Sequence, residues 1–276
     1  MILVSASTDS TLRFWNAENC LQTWPCPKSG FVLDLALVQI SAKIVWIFAS
    51  LDNCTVQIFA NEGSSGDFVP VHCLTGAEDW IQALASVRLL ADSEDILLAC
   101  GSQDSFIRVW RFRNVSEAKA MEEQRRVIDL AQGEEIKAKE VVFAAAGLFY
   151  SVSVETILAG HDDKVFAVQW QVSKENQVRL LSASFDKTMI LWQPDQEANG
   201  LWIEAVRVGE VGGNTLGFLG CQMHESGHAF LGHSFNGALH LWILKEDNWL
   251  PGVTVGGHFD SVEDLDWDQE GRYLIR

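Results

Sequence analysis

The sequence predicts an all-β protein: an incomplete β-propeller of about four full blades and two partial ones, with one long inter-strand insertion. Three observations lead there. A turn phrase recurs five times, a Gly-His phrase is interleaved with it in phase, and the residues between them alternate apolar and polar with a period of two.

The first copy of the turn phrase is Ser5-Ala6-Ser7-Thr8-Asp9-Ser10-Thr11-Leu12-Arg13-Phe14-Trp15, and the fourth is Ser182-Ala183-Ser184-Phe185-Asp186-Lys187-Thr188-Met189-Ile190-Leu191-Trp192. In each copy an Asp or Asn stands six residues before an aromatic: Asp9/Trp15, Asn53/Phe59, Asp104/Trp110, Asp186/Trp192 and Asn236/Trp242. The turn positions are 44, 51, 82 and 50 residues apart. The second phrase is Gly160-His161-Asp162-Asp163-Lys164-Val165, which returns as Gly257-His258-Phe259-Asp260-Ser261-Val262. Gly76-Ala77-Glu78-Asp79-Trp80-Ile81 has the same form with Ala in the His position. Each unit thus reads as a strand, a Gly-His turn, a strand, a small-residue strand, an Asp turn and a strand ending in an aromatic.

This pattern resembles the WD40 blade, whose period is about 40–45 residues. A single four-stranded blade has two apolar faces and is stable only against neighbours. All of 1–276 is therefore assigned to the propeller, with blade phrases ending near 15, 59, 110, 192 and 242 and a partial blade at 250–276. The 82-residue gap holds an insertion at 113–153. Within it, Ser116 to Lys139 has the composition of a short exposed helix or a mobile loop, and Val141 to Val154 reads as one long outer strand. The chain opens and stops in mid-blade, so a piece of a longer protein is expected.

The WD40 resemblance implies a buried network in which the Gly-His imidazole joins the turn Asp to a strand Ser and the Trp indole. Carried over, this structural tetrad is complete once, as His161, Ser184, Asp186 and Trp192. Ala77 removes it from the third repeat, Asn214 stands in the His position before the fifth, and His258 belongs to a blade with half its strands missing.

Composition narrows the function. With 20 Lys+Arg against 37 Asp+Glu, the net charge is 20 − 37 = −17, which opposes direct nucleic-acid binding and an anionic membrane surface. The longest apolar run, Val141 to Val154, falls short of the ~20 residues that span a bilayer. The N-terminus lacks the basic and apolar regions of a signal peptide. Six scattered cysteines, with no Cys-x-x-Cys pair, then read as reduced thiols in an intracellular protein, and two sequons, at Asn53 and Asn114, carry little weight there.

No enzyme signature survives inspection. Cys221, His224, His228, His233 and His240 are zinc-ligand types, but the repeat spreads them over three strands and a turn. A Ser184–His161–Asp186 triad would be buried against Trp192, with no oxyanion donors. Neither phosphate-cradling glycine motif occurs. No catalytic, metal or cofactor site is expected. A partner-facing rim is expected at the residues after the Gly-His positions: Glu78, Asp79, Trp80, Asp162, Asp163, Lys164, Phe259 and Asp260. Trp80 and Phe259 read as packing residues where strands begin.

Three further stretches are similar to the family of Elongator second subunits: Glu155 to His161, Arg179 to Trp192 and, above all, Val206 to Phe218, which is not general WD40 vocabulary. That resemblance fades within 113–153 and implies part of the first of two tandem propellers. It further implies a non-catalytic scaffold supporting wobble-uridine modification of transfer RNA. Expected partners are the large scaffold subunit and the catalytic acetyltransferase-like subunit, with no membrane and no direct RNA contact. The expected location is cytoplasmic, with a nuclear pool. A WD40 peptide-recognition or adaptor module outside Elongator is the alternative.

Overall fold

The structure, a computed structural model, describes residues 3–16, 19–61, 66–89, 94–121, 140–173, 177–198, 200–209, 216–268 and 273–275. Its strands form antiparallel sheets in which most neighbours follow chain order, the meander expected of propeller blades. β1 (Leu3–Ser7), β2 (Thr11–Trp15) and β3 (Cys20–Pro25) make a three-stranded sheet. β4 (Val32–Gln39), β5 (Val45–Leu51), β6 (Thr55–Asn61) and β7 (Phe68–Leu74) make the next.

The third sheet departs from the meander. β8 (Ile81–Arg88), β9 (Ile96–Ser102) and β10 (Phe106–Val115) run in order, then β12 (Leu148–Ala159) pairs beside β10 and β11 (Val141–Ala145) lies outermost. The apolar run is therefore a hairpin and not one long outer strand. Ala146 and Gly147 both adopt left-handed φ (51° and 78°), which turns the chain back in two residues and pairs Ala145 with Leu148. Earlier in the insertion, 117–121 is helical; 122–139 lies outside the described residues.

Two further four-stranded meanders follow. The fourth sheet is β13 (Val165–Val172), β14 (Val178–Ser184), β15 (Thr188–Asp195) and β16 (Leu201–Gly209). The fifth is β17 (Phe218–Met223), β18 (Ala229–Ser234), β19 (Leu239–Lys245) and β20 (Asn248–Val255). A short pair, β21 (Asp266–Trp267) and β22 (Leu274–Ile275), comes last. Residues 250–255, expected in the partial blade, thus form part of the outer strand of the fifth sheet.

The chain divides into two compact units: Met1–Leu98 with Arg108–Ile157, and Ala99–Ile107 with Leu158–Arg276. In the first, Leu12 and Phe14 pack with Ile47, Ala49, Phe59 and Phe68. The insertion hairpin builds a second centre there, with Trp46 against Tyr150 (4.5 Å between centroids), Phe143 (5.6 Å) and Phe112 (5.7 Å). Arg111 ties the same strands together, donating to Asp95 at 2.9 Å and to Glu155 at 2.6 Å. In the second unit, Leu181, Met189 and Leu191 pack with Phe218, Met223, Phe230 and Trp242, joining the fourth and fifth sheets.

The five turns share one backbone form. The residue after each Asp or Asn is left-handed: Ser10 (φ 67°), Cys54 (64°), Ser105 (68°), Lys187 (72°) and Gly237 (78°). A side chain in that region costs about 1–2 kcal/mol, so only Gly237 sits there unstrained. At Gly237 space is also closed, since a Cβ would lie 2.4 Å from the Asp260 carbonyl oxygen. In urea denaturation, Ser105→Gly and Lys187→Gly should be neutral or stabilising by up to about 1 kcal/mol. Gly237→Ala should destabilise by more than about 1 kcal/mol, because strain and overlap add there.

Candidate functional site

The polar centre of the second unit is assembled from three strand ends. His161 precedes β13, Ser182 lies in β14, Asp186 occupies the β14–β15 turn and Trp192 lies in β15. His161 Nδ1 is 2.8 Å from Asp186 Oδ2, and its Nε2 is 2.8 Å from Ser182 Oγ. The Trp192 indole N–H donates to the same Ser182 oxygen at 2.9 Å. The serine of this network is therefore Ser182, where the sequence reading placed Ser184. Ser184 bonds elsewhere: its hydroxyl donates to the Asp163 carbonyl oxygen (3.0 Å) and accepts from the Asp186 amide (3.0 Å). Register explains the exchange. Leu180 pairs with Trp192 and Ser182 with Ile190, so Ser182 lies deep in the strand beside the indole, while Ser184 closes the turn.

A signal for Ser182 was present in the sequence. Ser5 also precedes a Trp by ten residues, and Trp15 Nε1 donates to Ser5 Oγ at 2.8 Å. The turn serine has its own recurrence, since the amides of Asp9 and Asp104 donate to Ser7 and Ser102, both at 3.2 Å.

Asp186 is the most heavily used group. Its Oδ1 accepts from the Thr188 amide (2.8 Å) and hydroxyl (2.7 Å), and its Oδ2 accepts from the Asp162 amide (3.0 Å) as well as facing His161. Burial alone would raise this carboxyl. The hydrogen bond and charge of His161, with Thr188 and the Asp162 amide, outweigh burial and hold it well below the usual carboxylate range. Gly160 makes room for the indole: a Cβ there would lie 2.6 Å from Trp192 Cη2. The same turn bond recurs without the imidazole, since Asp9, Asp104 and Asn236 accept from the amides two residues on at 3.0, 3.1 and 3.0 Å. Asn214 lies outside the described residues, and His258 is exposed.

The zinc-type residues are not brought to one point. Cys221 is buried in the apolar core, where burial pushes its thiol up. His224 Nδ1 is 2.7 Å from Ser226 Oγ, His228 is exposed, His233 pairs across from Gly220, and the His240 ring lies edge-on to Phe218. Among the described residues, no group of three His, Cys, Asp or Glu is placed to hold a metal ion. The six cysteines are thiols outside any disulfide, and no helix among the described residues is long and apolar enough to cross a membrane.

The rim residues share a local form in their own units. Asp79, Asp163 and Asp260 each accept from the amide of the next residue, at 2.7, 2.8 and 2.9 Å. Asp163 is half-buried, while Glu78, Asp162 and Lys164 are exposed. Trp80 leans edge-on against Phe31 but stays 39% exposed. Phe259 is fully exposed and not the packing residue expected, because Val262 and Leu265 fill the core behind that turn.

The profile of the WD domain, G-beta repeat, matches residues 68–111 and 152–193, the second stretch enclosing the whole His161 network. The chain carries WD40 repeats. Over its full length it is similar to proteins named Elongator complex protein 2: 42% identical in Danio rerio over 100% of this chain and 33% of the relative. In Homo sapiens the identity is 41%, over 99% of this chain and 33% of the relative. In Drosophila melanogaster it is 40%, over 99% and 36%. The chain spans about a third of the length of these relatives. The fold resembles a chain in a crystal structure of the mitotic checkpoint complex (TM-score 0.64, 14% identity, 99% of this chain and 67% of that one), a likeness of fold alone. As a WD40 propeller fold, the chain has its fullest polar network in the 152–193 repeat, and these groups are used up in holding a turn.

The network orders the effects of substitution. In chemical denaturation, His161→Ala should cost about 2–4 kcal/mol and Ser182→Ala about 1–3, since each strands buried partners. Ser184→Ala should cost about 1 kcal/mol; a larger loss at Ser184 than at Ser182 would contradict the assignment. A carboxyl held low in the folded state adds stability that is fully present above the unfolded value of about 3.9 and is lost as pH falls through the folded one. The deficit of Asp186→Asn should therefore be constant down to about pH 5 and shrink below about pH 4.

Proposed function

We propose that the chain is part of a non-catalytic scaffold subunit of Elongator, holding the large scaffold subunit and the catalytic acetyltransferase-like subunit together for wobble-uridine modification of transfer RNA. The observation that carries this reading is the 40–42% identity, sustained over essentially the whole chain, to proteins named Elongator complex protein 2. Two physical features support it. The His161–Asp186–Ser182 constellation is buried and engaged with Trp192, Thr188 and the turn backbone, which leaves it no nucleophile to present. The net charge of −17 repels a phosphate backbone, so RNA would be held by other subunits. The location that follows is cytoplasmic, with a nuclear pool.

The test is affinity capture of the full-length, endogenously tagged protein, with co-purifying proteins identified by mass spectrometry. Near-stoichiometric recovery of the other Elongator subunits is expected. Their absence, with a different defined partner in their place, would overturn the reading in favour of a peptide-recognition or adaptor module.

A further inference from the structure

The residue before each turn Asp or Asn differs among the repeats in an informative way. It is Thr8, Asp52 and Gln103 in the first three, as suits a solvated turn, but Phe185 and Phe235 in the last two. These two rings touch, with centroids 5.2 Å apart at 88°, and both meet Phe166 at the start of β13 (6.3 Å and 67°; 5.6 Å and 74°). This is the edge-to-face geometry of a cohesive aromatic cluster, yet Phe185 remains 41% exposed and the other two rings are half-buried. A fold that closes the same turn elsewhere with Thr, Asp or Gln has no need of apolar rings there. A contiguous exposed apolar patch on a turn is the mark of a contact surface.

The surroundings indicate what it contacts. On one side the Phe185 amide donates to the Lys164 carbonyl oxygen, which brings the 162–164 turn and its two aspartates alongside. On the other, Gly237, two residues after Phe235, lies directly against Asp260 and so places the exposed Phe259–Asp260 turn on the same side. The rings therefore sit between two acidic turns, Asp162–Asp163 and Asp260, in a chain of net charge −17. We propose that Phe166, Phe185 and Phe235 form a docking surface for a partner-protein segment with an apolar anchor residue flanked by Lys or Arg. The anchor covers the open face of Phe185, and the flanking cations meet the aspartates, which steer the encounter and fix register. Nothing in this inference depends on which complex the chain belongs to.

The test uses the full chain and arrays of 12-residue peptides with a central Leu, Met or Phe flanked by Lys or Arg, alongside the same peptides flanked by Glu. Binding to the basic set, weakened by salt, is expected. Phe185→Gln with Phe235→Thr, residues the other repeats accept, should weaken it by about tenfold or more while leaving the melting temperature unchanged or higher. Asp162→Asn with Asp260→Asn keeps the turn hydrogen bonds and should weaken binding at low salt only. Failure of the wild-type chain to bind the basic set would overturn the proposal. So would equal binding of the Glu-flanked set, binding unaffected by the Phe substitutions, or a lowered melting temperature that makes the rings part of the core.

Discussion

A four-stranded antiparallel sheet with two apolar faces cannot stand in water, and this requirement shapes the rest of the molecule. Within the first unit the three-stranded sheet is closed by the next one through Phe14, which stacks on Phe68 at 4.7 Å and meets Phe59 edge-on at 5.8 Å. Within the second unit the fourth and fifth sheets meet through Met189, Leu191 and Phe218. Polar side chains then set the register between neighbours. Gln22 makes a two-way bond with the Phe68 main chain (2.7 and 2.8 Å), Asp34 accepts from the Leu84 amide (2.6 Å), and Gln169 donates to Gln222, which in turn donates to the Leu265 carbonyl oxygen (both 2.9 Å). Apolar burial supplies the drive, and these bonds choose one alignment, because a displaced neighbour would leave buried amides without partners.

The His161 network answers a smaller version of the same problem. A turn carboxylate taken out of water must be repaid by donors, and Asp186 has four: an imidazole, a hydroxyl and two amides. Such a cluster is worth having only when every member is satisfied. The other repeats follow that rule by simplifying together. Where Ala77 replaces the histidine, the residue ten before Trp110 is Cys100 and no longer a serine, and Asp104 makes turn-type bonds, its amide donating to the Ser102 hydroxyl and its carboxylate accepting from the Phe106 amide. In the fifth repeat an uncharged Asn236 holds the turn and Gly232 takes the serine position. The first repeat keeps Ser5 with Trp15 but turns Asp9 outward to Arg13 at 2.9 Å.

Periodicity made the blades legible because strand alternation and turn chemistry are local, and both are written in every repeat. The turn aspartates and the Gly-His phrase could be read without coordinates. Distinguishing Ser182 from Ser184 could not be done from one repeat, because residues two apart in a strand share a face and only register decides which lies beside the indole. The β11–β12 hairpin was lost for a different reason. Val141 to Val154 is apolar but for Ser151 and Ser153, so its reversal is marked only by Ala146-Gly147, and its place outside β10 depends on Trp46, distant in sequence, to receive Phe143 and Tyr150. The acidic turns were found as candidates, but the aromatic rings between them were not, because their meaning lies in contacts across two repeats.

That last omission is a general property of repeat proteins. Positions the fold requires must be alike in each repeat: an Asp or Asn at the turn, a left-handed residue after it, a branched or aromatic residue in the strand behind. Positions the fold leaves free are the ones that differ, and here they are the residue before the turn and the loop after Gly-His. Exposed polar residues at such positions have no cost to explain. Phenylalanines left partly in water do, since each gives up about 25 cal/mol for every Å² of apolar surface left there, and an exposed Phe185 touching the half-buried Phe235 and Phe166 concentrates that cost at one place. Where the His161 network is committed to a turn and the inter-sheet glutamines to register, departures from the repeat are where recognition has to be carried.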